Sequence, residues 1–135
     1  MKSRYMLDTN ICIYIARHGP PEVMARFNQM KPGELIMSVV TYGELHCGAM
    51  KCNQQSVALM HLDELVKSIP AESLDSTVAL KYGEIRAALQ KQGSLIGGND
   101  LWIGAHALAL DVILVTNNER EFSRIAGLSV ENWTN

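Results

Sequence analysis

Long apolar runs are missing from this sequence, which excludes a membrane span, because no stretch approaches the roughly 18 to 20 residues that cross a bilayer. The opening residues, MKSRYMLDTN, reach a carboxylate too early for the apolar centre of a secretion signal. A soluble cytoplasmic protein is expected. Cysteine is scarce and odd in number: Cys12, Cys47 and Cys52 lie in apolar or helical contexts. That excludes a disulfide framework and fits reduced thiols in a reducing compartment. Cys47-x4-Cys52, with His46 as its only nearby histidine, also has poor spacing for zinc. Basic charge is lacking too. The chain carries 12 Lys and Arg against 14 Asp and Glu, a net charge of −2, without a basic run. The electrostatic footprint of a passive nucleic-acid-binding module is therefore absent. A nuclease stays open, since a carboxylate site becomes locally positive only when it holds a divalent cation. Phosphate-cradling glycine loops and dinucleotide fingerprints are also missing: Gly93 and Gly97-Gly98 match neither spacing.

The 135 residues are 47% hydrophobic and 19% charged, enough apolar surface to offset the entropy of ordering the chain. That length suits one core and leaves no room for a second, so a single domain over 1–135 is expected. Tyr5-Met6-Leu7 reads as a strand ending at Asp8, and Ile11, Ile13, Tyr14 and Ile15 as a helix broken at His18-Gly19-Pro20-Pro21. Val23 and Phe27 share one face of a second helix. Leu35 to Val40 reads as a buried strand feeding a helix from about Tyr42 to Lys51. Leu59, Leu62 and Leu65 mark one amphipathic helix, and Val78, Tyr82, Ile85 and Leu89 another. Between them Ser68-Ile69-Pro70 is expected as a short edge strand, where proline is tolerated. After the turn Gly97-Gly98-Asn99 come an apolar helix, Leu101 to Leu110, and a β-branched strand, Val112 to Val115, of the kind buried on both faces of a parallel sheet. A helix from about Glu119 and a short strand near Ser129-Val130 close the chain. Strands alternating with helices predict a three-layer α/β/α fold with a mostly parallel central sheet. Ligands in such sheets bind beyond the carboxyl ends of the strands.

Asp8 follows the first strand, Glu44 lies just after the second long strand, and Asp100 opens the helix before the Val112 to Val115 strand. The segment Thr116-Asn117-Asn118-Glu119-Arg120-Glu121 follows that last strand and adds Glu121 as a fourth acidic candidate. Carboxylates forced together repel one another unless a cation neutralises them, and oxygen ligands of this kind suit Mg²⁺ or Mn²⁺. Each piece also has a structural reading. Asp8 can cap the first helix, Thr41-x-x-Glu44 is a capping box as written, and Asp100 is a good N-cap after its glycines. Their joint placement at one sheet edge favours the site, and capping residues at every helix start leave the alternative open. His106 on its apolar helix reads as a core or interface histidine. His18, His46 and His61 have no triad partner in sequence. The seven methionines with Leu59, Leu62 and Leu65 read as core or dimer-contact material. Trp102 and Trp133 read as packing residues, with Trp102 near enough to Asp100 to approach a nucleotide base.

Four blocks together, Met6-Leu7-Asp8-Thr9-Asn10, Ser38-x5-Glu44-Leu45-x2-Gly48-Ala49, Ile96-Gly97-x2-Asp100-Leu101-x-Ile103-x-Ala105-His106-Ala107 and Thr116-Asn117-Asn118-x2-Glu121-Phe122, resemble the PIN-domain toxins of bacterial VapBC toxin–antitoxin modules. The resemblance runs over nearly the whole chain and keeps the order of the blocks. It implies a parallel sheet flanked by helices and acidic residues that bind one or two divalent cations for phosphodiester hydrolysis in RNA. Carried over by position, it implies Asp8, Glu44 and Asp100 as metal ligands. Many relatives have an aspartate where Asn118 stands here, which leaves Glu121 or an Asn118 oxygen as the fourth ligand. Thr9, Ser38 and Thr116 are expected as supporting groups. The last block most resembles the branch whose members cut structured RNA at the anticodon region of initiator tRNA. The same resemblance implies a small VapB-like antitoxin that blocks the acidic site, pairing of toxin protomers into a homodimer, and a larger toxin–antitoxin assembly.

The expected chemistry is Mg²⁺- or Mn²⁺-dependent RNA cleavage that leaves 5′-phosphate and 3′-hydroxyl ends. Two rivals remain. An aspartyl-nucleophile phosphatase is partly matched by strand-Asp-Thr, but Asn10 stands where that class needs a second aspartate. A non-catalytic module that binds only protein or RNA is the other.

Overall fold

Tyr5-Met6-Leu7 has no polar side chain to turn outward, and strand β1 (Tyr5–Leu7) accordingly lies buried in the middle of the sheet. The structure is a computed structural model and describes residues 2–134. In chain order β1 is followed by α1 (Thr9–Ala16), α2 (Pro21–Asn28), β2 (Leu35–Ser38), α3 (Val39–Lys51), α4 (Gln55–Ser68), β3 (Ala71–Glu72), α5 (Ser76–Gln92), α6 (Gly98–Leu110), β4 (Ile113–Val115), α7 (Glu119–Phe122) and β5 (Val130–Glu131). The five strands form one sheet in the order β3-β2-β1-β4-β5, and every pairing is parallel.

Alternation along each strand sends side chains to two cores. Tyr5, Leu7, Leu35, Met37 and Val115 face a cluster with Ile11, Ile15, Val23, Ile69 and Trp133, against which α1, α2 and α4 pack. Met6, Ile36 and Leu114 face the opposite cluster, formed with Leu89, Leu101, Ile103 and Phe122 from α5, α6 and α7. The three layers are those expected, with the sheet wholly parallel. Helix α3 serves both cores, through Tyr42 and Leu45 on one side and Val40 on the other. No helix among the described residues is long and apolar enough to cross a membrane.

Several boundaries differ from the sequence expectation, the smallest being the strand expected from Val112, which begins at Ile113. The strand expected over Leu35 to Val40 stops at Ser38, whose hydroxyl accepts the Val40 N–H at 3.1 Å and starts α3 at Val39 instead of Tyr42. The edge strand expected at Ser68-Ile69-Pro70 is Ala71–Glu72: Ser68 completes α4, and Pro70 contributes only its carbonyl, which accepts from the Met37 N–H at 2.9 Å. Helix α6 begins at Gly98, not Leu101, because Gly97 takes the cap position and Gly98 and Asn99 enter the first turn.

Parallel strands bring their carboxyl ends to one edge. Leu7 pairs with Val115, so Asp8 and Thr116 leave neighbouring strands side by side. Ser38, at the end of β2, pairs with Glu72 on the other flank. Everything described next stands on that edge.

Candidate active site

Asp8 leaves β1 in extended conformation and caps α1, its Oδ1 accepting the Ile11 N–H at 3.0 Å. The cap uses only one oxygen. Oδ2 accepts from the Thr116 hydroxyl, and Thr116 Oγ1 accepts in turn from the Asn118 N–H at 2.9 Å. Asp8 is therefore both cap and candidate ligand. Burial, above all, holds its carboxyl above the usual range; Glu44 adds to that rise, while the bonds from Thr116 and Ile11 oppose it.

Glu44 is no member of a capping box. Because Ser38 caps α3, Thr41 falls in the first turn, fully buried, and Glu44 falls a turn further on, where no free backbone amide awaits it. Its carboxylate instead accepts from the Thr9 hydroxyl at 2.5 Å and from the Asn99 amide at 3.3 Å. Thr9 has one proton to donate and spends it on Glu44, leaving its oxygen to face the Thr41 hydroxyl at 3.3 Å.

Asp100 is not an N-cap either, since Gly97 holds that position without a side-chain bond and Asp100 lies inside the first turn of α6. A carboxylate there is favoured by the helix dipole. Its pKa is nevertheless pushed up to about 6, by burial first and then by the charges of Glu121, Asp8 and Glu44, with a hydrogen bond to Glu121 that favours keeping the proton. The other three acidic candidates thus act on one carboxyl. The Asn118 amide donates to Glu121 at 3.1 Å, so the two candidates for a fourth ligand touch each other. An open groove lined by Val40, Gly43, Glu44, Cys47 and Asn99 runs beside Glu44. Among the described residues no three acidic, histidine or cysteine side chains are grouped tightly enough to clasp an ion as they stand. The arrangement is a loose cluster of hard oxygens whose unrelieved charge shows in Asp100. That donor set fits Mg²⁺ or Mn²⁺ and would not suit a thiophilic metal.

The remaining candidates separate. Thr9 and Thr116 touch carboxylates as expected, whereas the hydrogen bonds of Ser38 go to the start of α3 and to His106 and to no carboxylate. Trp133 is buried edge-on against Tyr5, and Trp102 stacks on Tyr82 with ring centroids 3.8 Å apart. Cys12 is buried and Cys47 and Cys52 are exposed, all three as free thiols. Two amides at the site escaped the sequence reading. Asn99 holds Glu44, and Asn117 donates to the Tyr14 hydroxyl at 2.9 Å and accepts from Asn10 at 3.5 Å. Their only signal was position, each lying beside a candidate residue.

Comparison with known proteins agrees with this fold. The PIN domain family matches residues 5–128. The Haemophilus influenzae protein named Ribonuclease VapC2 is 41% identical over 130 residues, 96% of this chain and 98% of that protein. The tRNA(fMet)-specific endonuclease VapC of Shigella flexneri is 40% identical over 131 residues, 97% of this chain and 98% of its own length. Among solved structures, VapBC-1 from nontypeable Haemophilus influenzae superposes with a TM-score of 0.90 at 39% identity, covering 97% of this chain and 98% of that one. DNA-bound VapBC from Salmonella typhimurium superposes with a TM-score of 0.91 at 34% identity, with the same coverage.

Proposed function

The chain belongs to the PIN-domain family of VapC ribonucleases, and from that premise we propose that it is the toxin of a type II toxin–antitoxin module, a metal-dependent endoribonuclease working through the acidic cluster. The observation that carries the reading is the gathering of Asp8, Glu44, Asp100 and Glu121 at one end of the sheet, where the Asp100 carboxyl is pushed up by burial first and then by the charges of the other three. Asp8, Glu44 and Asp100 are the residues that would hold Mg²⁺ or Mn²⁺, with Glu121 or Asn118 as the fourth. An ion there supplies the Lewis acidity that phosphodiester hydrolysis needs.

The chain's own groups prepare the cluster. Thr116 and the Ile11 N–H fix both oxygens of Asp8, and Thr9 and Asn99 fix both oxygens of Glu44, so neither carboxylate has to reorient when charge is neutralised. Asn118 holds Glu121 toward Asp100. Cleavage by this cluster leaves a 5′-phosphate and a 3′-hydroxyl. The whole chain acts as one ribonuclease unit in the cytoplasm. Its substrate is tRNA, with the initiator tRNA anticodon region as the specific target, a reading supported by the last sequence block and by the names of the Shigella and Salmonella relatives. Nothing favours the aspartyl phosphatase: Asn10, in the place of its second acid, is tied to Asn117.

The partner is a VapB-like antitoxin, supported by solved relatives that are VapBC complexes. A groove lined by Ile13, Leu45, Leu62 and Leu65 together with Glu44 offers an apolar surface that includes one residue of the acidic site. The antitoxin pairs toxin protomers within a larger assembly. Purified protein with Mg²⁺ and total tRNA tests the reading. New 5′-phosphate ends in the initiator tRNA anticodon loop are expected; ends spread evenly over all RNAs would overturn the substrate, and the absence of any cleavage would overturn the activity.

A further inference from the structure

Helices α3 and α6 cross with two ties between them. Ser38 meets His106, and Glu44 meets Asn99. Ser38 lies six residues before Glu44 and His106 seven after Asn99, so the ties are two rungs of one antiparallel register. At about 1.5 Å per residue each helix runs roughly 10 Å between them. One rung is exposed and carries a candidate ligand; the other is buried, with Ser38 and His106 both 0% exposed.

The chemistry of the buried rung is determined by proton count. Ser38 Oγ already accepts the Val40 N–H, and its hydroxyl has one proton to place. His106 Nδ1, 2.9 Å away, is the acceptor that satisfies it. The histidine is then the neutral tautomer protonated on Nε2, a buried nitrogen whose nearest help comes from the Ser73 backbone. Burial lowers the pKa of His106 and favours this neutral state; Glu72, Asp75 and the Ser73 backbone pull it the other way.

We propose that His106 is a positioning residue for the cation site: by accepting the Ser38 hydroxyl proton it locks the start of α3 against the middle of α6 and so sets Glu44 beside Asn99 and Asp100. The role rests on the reading of Glu44 and Asp100 as metal ligands. What sets His106 apart from a histidine that only packs is that its partner is the cap of the helix that carries Glu44.

Mn²⁺ titration by calorimetry on the full chain, with melting curves of the metal-free proteins, tests this. His106→Leu should bind Mn²⁺ on the order of tenfold more weakly, the usual scale for loss of a group behind a ligand. His106→Asn, which keeps an acceptor, should recover most of that. Ser38→Ala preserves the packing of His106 and guards against a leucine variant that fails to fold; it should lose as much affinity, and Ser38→Ala with His106→Asn no more than Ser38→Ala alone. Melting alone would shift if His106 merely packed, so folded His106→Leu and Ser38→Ala with Mn²⁺ affinity within twofold of wild type would overturn the role. Wild-type protein that binds no Mn²⁺ would overturn the functional reading and this role together.

Discussion

Glu34 and Asp100 are both carboxylates at an end of the parallel sheet, and they are treated in opposite ways. Glu34, just ahead of β2, accepts the Lys31 N–H at 2.8 Å and the Arg4 guanidinium at 3.1 Å, and the Lys31 bond above all, with Arg4 adding to it, holds its carboxyl below the usual range. Asp100, at the other edge, has Glu121, Asp8 and Glu44 for company, and burial first and then those charges push its carboxyl up to about 6. A carboxylate given hydrogen-bond donors and a cation is there for the fold. One given other carboxylates costs the fold stability, and such an arrangement persists where function requires it.

The largest break in this comparison comes from Asp100→Asn. RNA cleavage should fall by more than the roughly ten- to hundredfold that loss of an outer contact costs, because a ligand and a charge both go. The metal-free variant should melt higher than wild type at pH 7.5, since a repelling charge has gone and the isosteric amide fills the space. Paired cleavage rates and melting curves check it, and a variant that melts lower and cleaves normally would make Asp100 structural.

The pH dependence sharpens the contrast. Between 3.8 and about 6 the folded state binds more protons at Asp100 than the unfolded chain does, so this group's contribution to stability falls as pH rises through that window and is level above it. The melting temperature of Asp100→Asn relative to wild type should therefore climb from pH 4 to pH 6 and then flatten. Cleavage by wild type should rise through about pH 6 as the carboxyl ionises and becomes able to bind a cation. A difference in melting temperature that is constant from pH 4 to pH 8 would contradict the assignment.

The smallest effect is expected at the other edge. Glu34→Gln loses the charge that Arg4 faces and should lower the melting temperature while leaving cleavage at the wild-type rate. Reduced cleavage by folded Glu34→Gln would show that the two edges are not separate.

Much of the fold was legible in the pattern of apolar runs, because buried parallel strands such as Tyr5-Met6-Leu7 have no polar alternation to confuse them. Helix starts were harder to read. Ser38 and Thr41 both carry the hydroxyl that a cap needs, and local sequence does not say which will serve. Tertiary contacts decide it: Thr41 is buried below Thr9, while Ser38 is held by His106 from a helix distant in sequence. The same contacts remove Glu44 from its apparent capping box and give it to Thr9 and Asn99. Asp100 lost its apparent cap role because Gly97 takes the cap position and Gly98 and Asn99 start the helix. The acidic residues were visible one by one, but the amides that hold them were not, since an asparagine beside a candidate looks like any other turn residue.

The central claim is that the acidic edge is a cation-dependent nuclease site, and the most direct measurement is RNA cleavage by wild type and Asp8→Asn, each with Mg²⁺ and with EDTA. Asparagine keeps an oxygen for the Ile11 N–H, so α1 stays capped and the variant folds. Cleavage by wild type with Mg²⁺ alone, and by neither protein in EDTA, is the predicted result. Undiminished cleavage in EDTA, or by Asp8→Asn with Mg²⁺, would contradict it.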